Sequence, residues 1–378
     1  MIEKVGFNCV GCGACEGICP TNTVKVKELD RGYKPFVNRE LCINCKLCVK
    51  VCPIQNINIP DDYTKIKRAY RCWSRNKSVY LKGASGGGVS SLLIYMFDKK
   101  LIDAALVTFY DKNLNLYGDF ITDKNEVLNH SGAFYQQSKQ LVNINKITRF
   151  HSVAVVGLPC HIEAVRRFAE LNKLKNIYVM ISLFCTIGRM KKGFEDFIKK
   201  RFNLEVRNLE FSEYKSRYGK SRLGDIILKT KDGKELIYKF PEYLNFVDYF
   251  YTPEGCFNCR KMFGLNADIS IGDDWGIKTT RKLCLVSVNT DRGLEIFLNC
   301  NLIKYYEVSN PVKTLLNSQP IGIPLKVFHP PLKVPVLKLM KALGSFNTNV
   351  PLFRITSLIR TIVLLGFIKL GKPKAYER

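Results

Sequence analysis

The chain reads CVGCGACEGICP over residues 9–20 and CINCKLCVKVCP over residues 42–53. Both stretches place four cysteines at the spacing C-x2-C-x2-C-x3-C, and proline follows the fourth cysteine in each. Such short spacings let one loop wrap three irons of a cubic cluster, and Gly11 and Gly13 relieve backbone crowding in the first loop. The fourth cysteine of each run is then free to reach the cluster of the other loop.

This crosswise arrangement assigns eight cysteines to two [4Fe-4S] clusters. One cluster is predicted to be held by Cys9, Cys12, Cys15 and Cys52, and the other by Cys42, Cys45, Cys48 and Cys19. Residues 24–26 and 35–37 flank the turn Asp30-Arg31-Gly32, which indicates a β-hairpin between the loops. Zinc is the alternative for C-x2-C pairs, and two full repeats with their prolines argue against it. Residues 1–60 are therefore predicted to be an α+β ferredoxin-like domain.

The composition favours a redox protein of a reducing compartment. The 378 residues include fifteen cysteines, and clustered cysteines in a long chain indicate metal binding rather than a disulfide framework. The first residues lack the apolar segment of a secretory signal, so we expect a cytoplasmic location. The formal charge of +26 admits nucleic acid, an anionic membrane surface, or acidic partners and cofactors. The absence of zinc-finger and RNA-binding signatures argues against nucleic acid.

The remainder of the chain is predicted to contain an α/β core. Residues 61–77 are polar and basic and are interpreted as a linker, and helical and strand patterns then alternate through residues 78–330. The run formed by Ser85, Gly86, Gly87 and Gly88 precedes an apolar helix that extends to about Phe97. Glycines at a helix N-terminus expose N–H groups to an anion, so this run fits either a phosphate site or a tight turn.

Further cysteines lie beside predicted elements of the core. Cys160 follows the buried strand 152–157 near the start of a helix, where a thiolate is favoured. Cys185 ends the strand 177–184, and Cys256 and Cys259 form a C-x2-C pair before the strand 267–271. Their spacing alone leaves open whether these four hold a third cluster. The remaining cysteines have no partner at ligand spacing and are interpreted as buried structural thiols, namely Cys72, Cys284 and Cys300.

Five motifs occur along the core in a fixed order. They are SGGGVSSLL at residues 85–93, GLPCHI at 157–162, LFCTIG at 183–188, CFNC at 256–259 and ADISIGDDWG at 267–276. With the cysteine loops in front, the set resembles the coenzyme F420 hydrogenase/dehydrogenase beta-subunit family over roughly residues 1–330. The resemblance implies a core that binds FAD and a further [4Fe-4S] cluster. It also implies a redox partner protein or a hydrogenase- or dehydrogenase-type complex.

Site residues follow from the resemblance at the matching positions. Cys160, Cys185, Cys256 and Cys259 become ligands of the third cluster, and Ser85 to Gly88 become flavin contacts. His161 stands where the family usually has glutamine, so this candidate catalytic residue either caps the helix or handles a proton. Lys215 belongs to a basic cluster that fits a phosphate, the carboxylate-rich tail of a deazaflavin, or a solvated loop. The rest of that cluster is Tyr214, Arg217, Tyr218 and Lys220.

Residues 331–378 are predicted to form a basic, helical C-terminal extension. Arg354, Arg360 and Lys369 interrupt its apolar stretch 350–370, which argues against an ordinary transmembrane helix. An amphipathic helix of this kind fits peripheral contact with the inner face of a membrane, docking on a partner protein, or packing on the core.

The predicted function is hydride transfer between reduced coenzyme F420 and FAD, with single electrons carried by the [4Fe-4S] clusters. Two alternatives remain open at this point. One is a ferredoxin-linked iron–sulfur flavoprotein reductase that acts on a sugar, lipid or polysaccharide precursor, because the DDWG ending resembles a family branch of organisms that lack the deazaflavin. The other is a non-catalytic electron-transfer subunit.

Overall fold

The computed structural model describes residues 2–29, 32–216, 225–247, 251–279, 281–320, 322–323 and 326. Within them the strands are β1 Val24–Leu29, β2 Gly32–Val37, β3 Arg68–Ser74, β4 Ala104–Tyr110, β5 Leu116–Ile121, β6 Ser138–Lys139, β7 Val153–Gly157, β8 Ile177–Leu183, β9 Leu209–Ser216, β10 Asp225–Thr230, β11 Glu235–Lys239, β12 Ile269–Asp273, β13 Cys284–Val288 and β14 Ile303–Glu307. The α-helices are α1 Ala14–Gly17, α2 Leu47–Lys50, α3 Lys77–Lys82, α4 Gly88–Asp98, α5 Pro159–Asn172, α6 Lys191–Phe202, α7 Phe240–Val247, α8 Glu254–Asn258, α9 Asp291–Asn299 and α10 Pro311–Ser318.

The N-terminal domain repeats one local conformation in its two cysteine loops. Gly11 and Gly13 have left-handed backbone conformations with φ of 73° and 82°, and the equivalent Asn44 and Lys46 have φ of 54° and 61°. A β-carbon on Gly13 would lie 2.8 Å from the Val142 side chain, because the first loop packs against the core. The second loop is exposed, so it accommodates side chains at the same positions. Strands β1 and β2 pair antiparallel, which confirms the predicted hairpin.

A nine-stranded sheet forms the core, with the order β14-β3-β13-β12-β8-β7-β4-β5-β6. The four neighbouring strands β12, β8, β7 and β4 run parallel, whereas β13, β3 and β14 continue the sheet antiparallel. Alternate residues of β4 and β7 face two separate apolar cores. One core contains α4 and α9, and the other contains α5 together with the N-terminal domain. The alternating pattern of the sequence therefore predicted this α/β layering correctly.

A second sheet was not predicted. Strands β9, β10 and β11 form a three-stranded antiparallel sheet that packs on α6 and α7 around its own apolar cluster. The cluster includes Phe197, Ile226, Leu228 and Tyr243, all of which are buried. Its short strands lie between helices in the chain, so periodicity alone did not distinguish it from the main sheet. Among the described residues, no helix combines the length and apolar character required to cross a bilayer.

The interpretation of residues 61–77 as a linker is wrong for residues 68–74. Residues 68–74 form β3, which lies between β13 and β14 and buries Ala69, Tyr70 and Cys72. Arg71 lies on the face of this strand that also carries Ala69. Arg71 is held there by an ion pair, since its Nε donates to the Asp274 carboxylate at 2.6 Å.

Asp61, at the start of this segment, is a buried anchor. Its side chain is 7% exposed, and its carboxylate accepts backbone N–H bonds at 2.7, 2.7, 3.0 and 3.3 Å. The four donors are Met262, Phe263, Gly264 and Leu265. One carboxylate therefore ties the end of the N-terminal domain to the loop that follows the C-x2-C pair.

Replacing Asp61 with alanine is expected to lower the free energy of unfolding by about 3 kcal/mol, because four buried N–H donors lose a charged acceptor. The matched control is Asp62→Ala, which removes an exposed carboxylate that caps a short 3-10 helix. That control should cost about 1 kcal/mol or less. Denaturant unfolding followed by circular dichroism measures both variants. Equal midpoints for the two would contradict the anchoring role.

Candidate redox site

The inner cysteine group joins the first loop to the end of the second. Cys9, Cys12, Cys15 and Cys52 line a small cavity of about 20 Å³ together with apolar side chains. Burial raises the pKa of the Cys12 thiol, and the neighbouring Cys52 and Cys9 raise it further. Burial likewise raises the pKa of Cys52 to about 11. The backbone N–H of Gly11 points to Cys9 Sγ at 3.4 Å, a contact that stabilises a thiolate.

The outer cysteine group is more exposed. Burial raises the pKa of Cys48, and the thiols of Cys45, Cys19 and Cys42 raise it further. These four thiols are therefore neighbours. Partial burial acts to raise the pKa of Cys19, but hydrogen bonds from Thr23, the Val24 backbone and Thr21 lower it to about 7. Among the cysteines in the described part of the chain, Cys45 alone is exposed. Cys9, Cys12, Cys15 and Cys52 thus lie around one small cavity, and Cys45, Cys19 and Cys42 lie near Cys48.

A third group forms at the carboxyl edge of the parallel strands. Cys160 follows β7 at the start of α5, and Cys185 follows β8, so both thiols leave the sheet at the same edge. The backbone N–H of Cys185 donates to the Met262 carbonyl at 2.9 Å, which brings in the loop that carries Cys256 and Cys259. Burial raises the pKa of Cys160, and Cys185, Cys259, Cys12 and Cys256 raise it further.

The outer, inner and third cysteine groups lie next to one another in the fold. Cys12 of the inner group is close enough to Cys160 to raise its pKa. The loop that carries the C-x2-C pair contacts the N-terminal domain near both of its ends. The Arg260 backbone N–H donates to the Ile57 carbonyl at 2.8 Å, and Asn258 Nδ2 donates to Asn8 Oδ1 at 2.7 Å. Thiol groups therefore extend from the exposed second loop to the edge of the core sheet.

Cys259 is buried, and Cys160, Cys185 and Cys256 are half-buried beside it. Four thiolates gathered in this way are stable only when a positive metal centre neutralises them. Burial raises the pKa of Cys256 to about 12, with further contributions from Cys259 and Cys185. Among the described residues, no three cysteine, histidine or carboxylate side chains converge closely enough to share a single metal ion. A four-iron cluster takes one thiolate per iron, so its ligands stand around a core rather than at one point. The donor chemistry of each group fits such a cluster.

Two buried lysines lie near the third group, and the ammonium of Lys326 faces it. Lys326 is 2% exposed and its Nζ donates to the Cys185 carbonyl at 2.6 Å. Burial acts to lower the pKa of Lys326, but the four cysteines of the group more than offset this and raise it. Lys261 is also buried, and its Nζ lies 3.7 Å from the Glu163 carboxylate. Neither lysine was singled out from the sequence, because no local pattern places them beside cysteines far away in the chain.

A cavity of about 920 Å³ opens at the same edge of the sheet. The lining includes the glycine-rich run, the third cysteine group, both buried lysines, Arg189 and aromatic side chains. A volume of this size suits a large organic cofactor or substrate. Helix α4 begins at the cavity with Gly87 as its N-cap, and no side chain in the described part of the chain caps its first N–H groups.

Backbone contacts hold the glycine-rich run rigidly. The Gly86 carbonyl accepts from Ser74 N–H at 2.8 Å, and the Ser85 carbonyl accepts from the Cys284 thiol at 2.8 Å. The Ser85 hydroxyl donates to the Asp273 carboxylate at the end of β12. A β-carbon on Gly87 would lie 2.5 Å from the Val79 carbonyl oxygen, and its φ is 80°. The run is therefore a preformed turn that presents a helix N-terminus to the cavity.

Comparison with known proteins places this arrangement in a family. Residues 69–144 match the N-terminal part of the "Coenzyme F420 hydrogenase/dehydrogenase, beta subunit", and residues 150–314 match its C-terminal part. The chain belongs to the coenzyme F420 hydrogenase/dehydrogenase beta-subunit family. Residues 8–65 match a 4Fe-4S dicluster domain. The resemblance carried by the five motifs is confirmed, and the family match begins at β3 rather than after it.

Individual relatives of this beta-subunit family member are distant. A subunit of the F420H2 dehydrogenase of Methanosarcina mazei is 25% identical over 275 residues, which are 70% of this chain and 75% of that protein. The beta subunit of the F420-dependent formate dehydrogenase of Methanocaldococcus jannaschii is 26% identical over 246 residues, which are 62% of this chain and 60% of that protein. A chain of the F420-reducing [NiFe] hydrogenase complex from Methanosarcina barkeri shares the fold, with a TM-score of 0.54 and 21% identity over 77% of this chain and 97% of that one.

His161, the candidate catalytic residue, is buried at the start of α5 in this family member. Its Nδ1 accepts a hydrogen bond from the Leu158 backbone N–H at 3.1 Å. Burial lowers the pKa of His161 to about 3, so the ring is neutral at physiological pH. This contact satisfies an otherwise free donor at a helix N-terminus. The geometry favours the capping role over the proton-handling role.

The other candidates divide between the described residues and the rest of the chain. Lys215 belongs to β9, but its side chain and that of Tyr214 lie outside the described part, as do Arg217, Tyr218 and Lys220 entirely. The extension 331–378 also lies outside the described residues. Cys72 and Cys284 are buried as expected, and they face each other directly across β3 and β13. That pairing was missed because β3 was taken for a linker.

Proposed function

We propose that this chain is an iron–sulfur flavoprotein oxidoreductase that passes a hydride between reduced coenzyme F420 and FAD. The proposal rests on what lies at the edge of the sheet where the parallel strands end. There the rigid N-terminus of α4, the cysteine group of the third site and the buried lysines all line one large cavity. Ligands of open α/β sheets bind at this position, outside the carboxyl ends of the strands.

Three clusters fit the three cysteine groups. The matched dicluster domain supports [4Fe-4S] clusters on Cys9, Cys12, Cys15 and Cys52 and on Cys42, Cys45, Cys48 and Cys19. A third cluster is proposed on Cys160, Cys185, Cys256 and Cys259, because these thiols come together at one edge of the sheet and Lys326 faces them. The Lys326 ammonium offsets part of the negative charge that four thiolates bring into the site, whereas the Lys261 ammonium pairs with the Glu163 carboxylate.

FAD fits the cavity through its phosphates and its ring. The N–H groups at the start of α4 suit a pyrophosphate, and Ser85, Gly86, Gly87 and Gly88 shape the turn that presents them. The apolar and aromatic lining suits an isoalloxazine ring and excludes water from it. A bound flavin converts a two-electron hydride step into one-electron steps. Lys215 remains a candidate for contact with the carboxylates of the deazaflavin.

The names of the relatives support the choice of hydride donor. Those from Methanosarcina mazei and Methanocaldococcus jannaschii are named as F420-linked dehydrogenase subunits. Hydride transfer between two ring systems needs their alignment rather than a side-chain acid or base. The neutral, capped His161 agrees with such a site. The protein contributes binding, orientation and exclusion of water, and a partner complex would take or supply the single electrons.

Anaerobically reconstituted protein is expected to oxidise reduced coenzyme F420 when a viologen is supplied as an artificial electron acceptor. The rise in absorbance of the oxidised deazaflavin measures the rate. The control is the same preparation with FAD omitted during reconstitution, which should retain iron and sulfide but lose turnover. Protein with full flavin and cluster content that leaves reduced F420 unchanged would overturn the proposal. The ferredoxin-linked reductase of an organic substrate would then be the better hypothesis.

A further inference from the structure

The second cysteine loop carries an unusual surface. Leu41 and Ile43 are each 63% exposed, more than any other large apolar side chain in the part of the chain that the structure describes. They lie within four residues of Cys45, the exposed cysteine of the outer group. Exposed apolar side chains gathered at one place mark interaction sites more often than isolated ones do.

Basic side chains surround these two residues. Arg39, Lys46 and Lys50 are exposed on the same loop, and Glu40 is an exposed acidic residue beside them. Arg39 is partly offset by Glu3, whose carboxylate lies 3.3 Å away. An apolar centre with a charged rim is the usual anatomy of a protein interface, and a basic rim favours an acidic partner.

The loop holds this surface in a fixed shape. Asn44 and Lys46 both have left-handed backbone conformations, which non-glycine residues rarely adopt. The backbone of Val49 and Lys50 bonds back to the Lys46 carbonyl at 3.0 and 3.1 Å, so α2 starts directly from the strained residue. A preformed surface loses little conformational entropy when a partner binds.

The position of the loop sets the kind of partner. The inner and third cysteine groups are mostly covered by the N-terminal domain and the core, whereas the outer group reaches solvent at Cys45. Electron tunnelling falls off steeply with distance, so a protein that exchanges electrons with this chain gains most by docking at the outer group. Transient redox encounters use small interfaces, and two apolar residues with a basic rim suit one.

We propose that Leu41 and Ile43, with Arg39, Lys46 and Lys50 around them, form the docking surface for a small acidic one-electron carrier protein. The inference rests on the part of the proposed function that places a cluster on Cys42, Cys45, Cys48 and Cys19. One electron leaves the outer cluster, which is oxidised, and enters the carrier, which is reduced. No bond forms or breaks and no proton moves. Two such transfers balance one hydride delivered at the flavin.

The test is stopped-flow electron transfer from the reconstituted protein, reduced beforehand with stoichiometric dithionite, to an oxidised acidic two-[4Fe-4S] ferredoxin. Reduction by dithionite bypasses the flavin, so a failure here is distinguishable from a failure of F420 oxidation. The double variant L41E/I43E is expected to lower the second-order rate constant about 10-fold through charge repulsion and loss of apolar contact. A small uncharged quinone, which these charges neither attract nor repel, should oxidise the variant and the wild type at equal rates.

Ile237→Glu is the matched control, because Ile237 is 60% exposed and lies on β11 in the separate small sheet. It should leave the ferredoxin rate unchanged. A second variant, K46E/K50E, keeps the apolar residues and should slow the ferredoxin reaction about 10-fold at low salt, with the difference shrinking as ionic strength rises. Unchanged ferredoxin rates in both double variants, with normal iron content, would overturn the proposal. So would a change of oligomeric state in L41E/I43E, which would assign the surface to a second copy of this chain.

Discussion

Replacing Cys160 with alanine is expected to remove one cluster's complement of iron and sulfide and to slow electron transfer from the flavin to the N-terminal clusters at least about 100-fold. The Cys160 thiol is close to Cys185, Cys256 and Cys259 and also to Cys12 of the inner group, since all four raise its pKa. Without it the remaining three thiols face a buried site in which burial and mutual repulsion oppose ionisation. The cluster proposed between the cavity and the inner group then has no complete ligand set.

The same variant is expected to keep the first half of the reaction. Flavin binding depends on the turn before α4, which makes no described contact with Cys160, so reduced F420 should still bleach the flavin in a single turnover. Iron and sulfide analysis, low-temperature electron paramagnetic resonance and stopped-flow absorbance separate the two halves.

Cys300→Ala is the control for Cys160→Ala. Cys300 is also a thiol inside the core, and burial raises its pKa to about 11. Its Sγ contacts the Ser91 carbonyl at 3.7 Å and not the cysteines of the third group. Loss of one small buried group there should cost about 1 kcal/mol of stability and no iron. Wild-type iron content and cluster reduction in Cys160→Ala would eliminate the third cluster from the account.

Replacing Gly87 with alanine is expected to weaken flavin binding about 100-fold and to destabilise the fold by about 2–4 kcal/mol. Two effects add. A left-handed conformation with φ of 80° costs a non-glycine residue about 1 kcal/mol, and the new β-carbon would stand 2.5 Å from the Val79 carbonyl oxygen. Backbone cannot yield there, because the Val79 carbonyl already accepts the Gly83 N–H. The turn must shift, and the N-terminus of α4 shifts with it.

The chain contains a closely matched control for the conformational part of this effect. Gly233, in the turn between β10 and β11, has φ of 82° and nothing within 4 Å of the position that a β-carbon would occupy. Gly233→Ala therefore isolates the backbone strain, and we expect about 1 kcal/mol of destabilisation with unchanged flavin content. Flavin stoichiometry after reconstitution and the unfolding midpoint test both. Equal flavin affinities in the two variants would remove the turn at Gly87 from the cofactor site.

Much of the site could be predicted because its signals are local in the chain. Cysteines separated by two residues on one loop stay together in any fold, so the two repeats predicted two thiol groups before any contact was known. The strand–cysteine order at β7 and β8 was likewise visible, as was the glycine-rich turn before α4. In each case a few consecutive residues carry both the conformation and the chemistry.

Other features needed contacts between distant parts of the chain. Asp61 and the four N–H groups it accepts are about 200 residues apart, and Lys326 reaches its cysteines from beyond the last described helix. The strand β3 was misread because its basic residues Arg71 and Arg68 were counted without their partners, the Asp274 and Glu307 carboxylates. No pattern within a short stretch of sequence predicts such contacts.

Amino-acid order alone thus determined the two thiol loops, the alternation of strands and helices, and the turn that starts α4, because backbone preferences and short spacings act within a few residues. Tertiary structure alone decided that Cys160, Cys185, Cys256 and Cys259 share one edge of the sheet, with Lys326 facing them and Cys12 of the inner group nearby. Parallel strands deliver their carboxyl ends to a common edge only after the whole sheet has formed. The proximity of these groups is therefore a property of the sheet and its packing.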